Sequence, residues 1–125
     1  MRKGYRYELE LKKILEENGF VVSRISGSGH EQSGDLIAIK DRTYLFEIKS
    51  TRQRIFYPNV RSKAQLLEMA KMGRQANLVP LLAIRYAKGG SILEKWKIYK
   101  DLEKDKYSLE EGIYIQEFLN TIKGE

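Results

Sequence analysis

The chain has 125 residues, 42% of them hydrophobic, which is enough for one compact domain with a real core and too little for a second. Lys and Arg number 23 against 17 Asp and Glu, a formal net charge of +6 that favours a polyanionic partner such as nucleic acid. There is no cysteine, which excludes disulfides, thiolate metal sites and thiol nucleophiles, so any metal must sit on oxygen or on His30.

The basic start of the chain leads into a charged amphipathic stretch and not a signal-peptide core. From Lys3 to Asn18 the apolar residues Tyr7, Leu11, Ile14 and Leu15 recur at i, i+4, i+7 and i+8, and Gly19 follows as a stop, so a first helix is predicted. Phe20 to Ser26 has the β-branched content of a short strand, and residues 27–34 read as an exposed, mobile loop. Asp35 to Ile39 and Thr43 to Ser50 form a predicted β-hairpin around Lys40-Asp41-Arg42.

A second helix is predicted from Arg61 to Gln75, with Ala64, Leu67 and Ala70 on one stripe and Leu66, Met69 and Gly73 on the next. Pro80 to Tyr86 reads as a buried strand, Lys88 to Ser91 as a turn, and Ile92 to Tyr99 as an alternating strand. Ile115, Phe118, Leu119 and Ile122 mark a short closing helix. No apolar run approaches the ~20 residues of a membrane span, so an intracellular, cytoplasmic protein without a membrane partner is expected. The element order implies an α/β fold with a central mixed sheet flanked by helices.

The informative constellation is Asp35 followed by Glu47-Ile48-Lys49, charges set in a strand otherwise built of Tyr44, Leu45, Phe46 and Ile48. Side chains alternate across a strand, so Glu47 and Lys49 share one face while Phe46 and Ile48 take the other. With a three-residue loop, Lys40 to Arg42, Ile39 opposes Thr43, Ile37 opposes Leu45 and Asp35 opposes Glu47. A two-residue loop would split the two carboxylates between faces unless a bulge intervened. Opposed like charges destabilise a sheet, and a divalent cation would reverse that sign. Oxygen-only ligation suits Mg²⁺, with Mn²⁺ as a substitute. Lys49 is a candidate to orient an attacking water or to neutralise a pentavalent phosphate; alternatively, Glu47 and Lys49 form a structural ion pair.

Glu8 lies on the same helical stripe as Leu11 and Leu15, where a carboxylate needs a partner, and Arg24 or a metal is expected to supply it. A local salt bridge at the edge of the stripe is the plainer alternative. Glu10 is expected to point to solvent.

Taken together, these residues resemble the PD-(D/E)xK nuclease superfamily, and within it the archaeal-type Holliday-junction resolvases. The resemblance runs through Arg2-Lys3-Gly4 and Glu8, Gly19 to Arg24, the Gly27-Ser28-Gly29 loop, Asp35-Leu36-Ile37, Tyr44 to Lys49 and Ala83-Ile84-Arg85. Gly34-Asp35 stands in place of the Pro-Asp that names the superfamily, and Leu9 stands where a basic neighbour of Glu8 is expected.

The resemblance implies a restriction-endonuclease-like core and a single nuclease domain over residues 1–125. It also implies Glu8, Asp35, Glu47 and Lys49 as the active centre, with metal on Asp35, Glu47 and Glu8. The implied activity is that of a homodimer that cuts opposed strands of four-way junction DNA using Mg²⁺, without an organic cofactor. Another nuclease of the superfamily, acting on duplex, ends or flaps, and a non-catalytic basic DNA-binding module stay open as alternatives.

Supporting DNA contacts are expected from Arg2, Lys3 and Arg6 at the helix start, from Arg24, and from Ser26, Ser28 and His30 in the loop. Each of the loop residues has a bystander role as its alternative. Arg52 and Arg54, interleaved with Phe56 and Tyr57, and Arg61 and Lys63 would extend a phosphate-binding track. Trp96, standing among Lys95, Lys97 and Lys100, reads as a core or interface anchor, with a DNA role as the alternative. Leu66, Met69 and Met72 are a candidate dimer surface, with simple burial against the sheet as the alternative.

Overall fold

The computed structural model describes residues 3–25 and 35–123, with the side chains of Lys3 and Lys123 outside that description. Arg2, Ser26, Ser28, His30 and the loop expected over residues 27–34 also lie outside it.

Helix α1 (Lys3–Glu17) forms where the apolar spacing requires it, and buries Leu11, Ile14 and Leu15. Its end is the predicted one: Gly19 adopts φ +90°, a left-handed conformation that a residue with a Cβ rarely takes. Strands β1 (Val21–Arg24), β2 (Leu36–Ile39) and β3 (Thr43–Thr51) then run antiparallel in turn. The hairpin has the three-residue loop, with Ile39 opposite Thr43 and Ile37 opposite Leu45.

A two-residue strand β4 (Ile55–Phe56) precedes helix α2 (Val60–Ala76), whose first turn is capped by Asn59 Oδ1 accepting from Ser62 N–H at 2.8 Å. The helix is the crossover that lets strand β5 (Val79–Tyr86) pair parallel with β3. Leu66 and Met69 are fully buried against the sheet and Met72 is partly buried against the same cluster, so the stripe proposed as a dimer surface faces the core instead. The crossover lays that stripe on the sheet and leaves Ala64 and Leu67 of the other one exposed.

The expected strand from Ile92 to Tyr99 is divided. Ile92–Lys95 is a helical turn α3, and only Trp96–Tyr99 is strand β6. The local reason is a capping box, in which Ser91 Oγ accepts from Glu94 N–H and Glu94 Oε1 accepts from Ser91 N–H at 3.1 Å. The chain then forms strand β7 (Tyr107–Ser108), a 3₁₀ turn (Leu109–Glu111), strand β8 (Ile113–Tyr114) and helix α4 (Ile115–Lys123).

Among the described residues the main sheet has six strands in the order β1-β2-β3-β5-β6-β8, mixed because β3 and β5 alone are parallel, and β4 pairs with β7 in a separate two-stranded sheet. Helices α1 and α4 pack with Leu36, Phe46, Leu81, Trp96 and Ile98 on one face of the main sheet. Helix α2 packs with Leu45, Leu82, Ile84 and Tyr86 on the other. No described helix is long and apolar enough to cross a membrane.

Candidate active site

Strand β3 has hydrogen-bonded neighbours on both sides, and its alternation decides where its charges go. Phe46 is buried on the face of α1 and α4 and Leu45 on the face of α2, so Glu47 and Lys49 follow Leu45 onto the α2 face. Glu47 is only 4% exposed. Lys49 Nζ lies 3.2 Å from Glu47 Oε2 and donates to Gln65 Oε1 of α2 at 3.4 Å. Gln65 escaped the sequence reading; its one signal is a polar side chain next in line to the buried Leu66 on a core-facing helix.

Asp35 is the residue just before β2, next to the Leu36–Phe46 pair at which the β2–β3 register ends, and close enough to Glu47 to feel its charge. Its backbone N–H donates to Phe46 O at 2.7 Å, and its carbonyl accepts from Ile25 N–H at 2.9 Å. Its Oδ2 accepts from Ile48 N–H at 2.7 Å, so the carboxylate itself completes a rung at the end of the β2–β3 ladder. Burial raises the Asp35 carboxyl to about 7, and the negative charges of Glu47 and, further down, Glu8 push the same way; the Ile48 N–H and Lys49 oppose them.

Glu8 does not join this pair directly. Its Oε2 accepts from Arg24 Nη2 at 2.8 Å and from Nε at 3.2 Å, and the Arg24 guanidinium stacks 4.4 Å from the Tyr5 ring. The Arg24 partner proposed for Glu8 is therefore found, and the ion pair lies near enough to Asp35 for the Glu8 charge to be felt there.

Glu10 overturns its expectation. It accepts from Arg85 Nε at 2.6 Å and from Trp96 Nε1 at 2.8 Å, and it is drawn back to the sheet by these two donors from β5 and β6. Trp96 is fully buried in the core. Of the expected DNA contacts that lie within the described residues, Arg6, Arg52, Arg54, Arg61 and Lys63 are all exposed. Arg54 pairs with Glu110, and Lys63 Nζ lies 2.8 Å from Asp105. Phe56 is partly buried against the α2-side core, whereas Tyr57 is 65% exposed.

Among the described residues no three or more His, Cys, Asp or Glu are grouped to hold a metal. The donors that stand together are the Asp35 and Glu47 carboxylates. Their fit to a hard dication rests on chemistry and placement: both are oxygen donors, Glu47 is buried, and Asp35 is tied to the amide between Glu47 and Lys49. The Glu47 charge pushes the Asp35 carboxyl up, a conflict that a bound ion would remove. Mg²⁺ is commonly held by one or two carboxylates plus water, so an acidic pair is a sufficient protein contribution.

A family model described as archaeal Holliday junction resolvase (Hjc) matches residues 1–124. A crossover junction endodeoxyribonuclease from Sulfolobus islandicus rod-shaped virus 1 is 31% identical over 116 residues, covering 90% of this chain and 95% of that one. The crossover junction endodeoxyribonuclease Hjc of Methanocaldococcus jannaschii is 36% identical over 88 residues, which is 68% of this chain and 60% of the relative. Among solved structures, Archaeoglobus fulgidus Hjc, a Holliday junction resolvase, superposes with a TM-score of 0.75 at 17% identity, covering 95% of this chain and 97% of that one. That likeness establishes the restriction-endonuclease-like fold.

Proposed function

Because the chain belongs to the archaeal Holliday junction resolvase family, and is therefore an endodeoxyribonuclease of DNA recombination and repair, we propose that Asp35, Glu47 and Lys49 are the residues with which it hydrolyses a junction phosphodiester. The observation that carries this is the placement of Glu47 and Lys49 on one face of the central strand β3, with the Asp35 carboxylate, from just before β2, anchored to the backbone amide between them.

Nucleases of this family are metal-dependent. Here Asp35 and Glu47 would hold the ion, Mg²⁺ with Mn²⁺ as a substitute. When bound, it supplies charge neutralisation at the phosphodiester and help in ionising a water. Lys49 is held between Glu47 and Gln65, which limits its rotamers and aims its ammonium across the same face. From there it offsets negative charge growing on the phosphoryl oxygens and orients the incoming water. Glu8 holds Arg24 beside the site and adds to the negative field at Asp35, so its part in the centre runs through that pair.

Arg6, Arg24, Arg52, Arg54, Arg61 and Lys63 form the proposed phosphate track, with Arg2, Lys3, Ser26, Ser28 and His30 as further contacts. A four-way junction has approximate two-fold symmetry and needs two cuts, so the working form is proposed to be a homodimer of single-domain subunits. Its interface excludes Leu66 and Met69, which the subunit core consumes.

The test is cleavage of a four-way junction and of a linear duplex of matched sequence, with and without Mg²⁺. Symmetric incision of the junction alone, dependent on metal and lost in Asp35→Asn and Glu47→Gln with binding retained, is the expected result. Full turnover in either variant would remove these residues from the mechanism.

A further inference from the structure

The segment after β6 is rich in carboxylates and lies against β4 and the residue before it, Arg54. Strand β7 pairs with β4, with Ile55 opposite Ser108 and Phe56 opposite Tyr107. Leu109 N–H donates to Arg54 O at 2.8 Å, which sets Glu110 directly beside Arg54. The frame is fastened from below: the buried Tyr86 hydroxyl lies 2.8 Å from Tyr107 O, and the Tyr99 hydroxyl lies 2.6 Å from Ser108 O. Beyond the turn, a Cβ on Gly112 would lie 2.6 Å from Lys97 Cβ, so the segment presses on β6 with no space to spare. The same stretch supplies Asp105 to Lys63, at the start of α2.

We propose that Glu110 and Asp105 are built-in competitors for phosphate, which occupy Arg54 and Lys63 in the free protein and thereby hold down its affinity for ordinary duplex. The proposal rests on the reading of Arg54 and Lys63 as DNA-facing. Both ion pairs are exposed, and exposed pairs are weak, so a phosphate displaces the carboxylate with little resistance. The displacement still has a cost. The freed carboxylate regains its own counterions, cancelling part of the ion release that drives DNA binding. A duplex that gains only a few such contacts is held less tightly, while a substrate that also fills the catalytic face tolerates the loss.

The fixed backbone separates this from random surface pairing. An acid on a mobile loop would spend little time near Arg54, whereas Glu110 follows directly on Leu109, whose amide is bonded to the Arg54 carbonyl at the end of the β4–β7 ladder.

The experiment titrates linear duplex against the full chain at several salt concentrations. The variants are Glu110→Gln, Asp105→Asn, Arg54→Gln, and Glu110→Gln combined with Arg54→Gln. Glu117→Gln, which removes an exposed carboxylate of α4, controls for net charge. Glu110→Gln is expected to tighten duplex binding by about threefold at low salt and to steepen the salt dependence by up to about one unit, as is Asp105→Asn. The gain from Glu110→Gln should vanish when Arg54 is already Gln. A gain no larger than that of Glu117→Gln, or one that persists in the Arg54→Gln background, overturns the proposal while leaving the track intact. If Arg54→Gln alone leaves binding unchanged, the track assignment at Arg54 is itself wrong and the proposal falls with it. Thermal melting confirms that each variant is folded.

Discussion

Asp35 and Ile48 are joined by a 2.7 Å hydrogen bond from the Ile48 N–H to Asp35 Oδ2. Ile48 sits between Glu47 and Lys49, so this one bond ties the Asp35 carboxylate to the backbone of the two residues proposed to act with it. Asp35→Asn keeps an oxygen able to accept that bond but loses the charge. Junction cleavage is expected to fall by at least on the order of 10²–10³-fold while junction binding persists, and Glu47→Gln is expected to behave alike. Single-turnover cleavage alongside a binding titration measures both quantities.

The Asp35 carboxyl predicts a particular pH dependence of stability. Its pKa is raised from 3.8 to about 7 on folding, so between those values the folded state binds the proton more tightly than the unfolded chain does. Stability contributed by this group is therefore highest at low pH, falls as pH rises through the window, and reaches a constant deficit above it. In metal-free buffer at about pH 8, Asp35→Asn should be more stable than the parent by about 2 kcal/mol, roughly half the full conversion because the carboxyl is only part-buried. At about pH 4 the difference should be small. Urea unfolding at the two pH values checks this, and added Mg²⁺ should narrow the gap at high pH by stabilising the parent alone.

Gln65 is the contact that keeps Lys49 from being held by Glu47 alone. Gln65→Leu is expected to slow cleavage by about fivefold through a less well placed ammonium, a loss of the size of one hydrogen bond to a charged group. Affinity for the junction should not change. An equal loss in binding and turnover would show Gln65 touching DNA instead.

Glu10 receives two donors from parts of the chain more than seventy residues away, Arg85 at 2.6 Å and Trp96 at 2.8 Å. Glu10→Ala would strand a part-buried guanidinium and an indole N–H. It is expected to lower stability by about 2–3 kcal/mol, measurable by denaturant unfolding, whereas Glu16→Ala on the exposed side of α1 should change it little.

The same residue shows where sequence reading stops. A helical projection places Glu10 off the apolar stripe, and nothing local to it announces the two donors that draw it inward. Glu47 and Lys49 were legible because a charge within an apolar strand is conspicuous, whereas the placing of Asp35 beside them hangs on a three-residue loop that the sequence leaves open and the fold supplies. The helices α1, α2 and α4 were legible from periodicity. Strands β4, β7 and β8 were not, since two residues carry no period and these strands exist only through partners distant in the chain. The Ser91–Glu94 capping box was present in the sequence but was masked by the alternation running through Ile92 to Tyr99.

Strand β3 pairs with β5 from Tyr44 to Thr51, Glu47 and Lys49 included, and with β2 from Thr43 to Phe46, whereas Asp35 stands one residue ahead of its strand. The amides of Glu47 and Lys49 should thus be among the slowest to exchange with deuterium, opening only when the whole molecule opens, while Asp35 frays ahead of them. Heating should consequently silence the enzyme in two stages: first a reversible loosening at one end of the centre, then collapse of the scaffold that carries the rest.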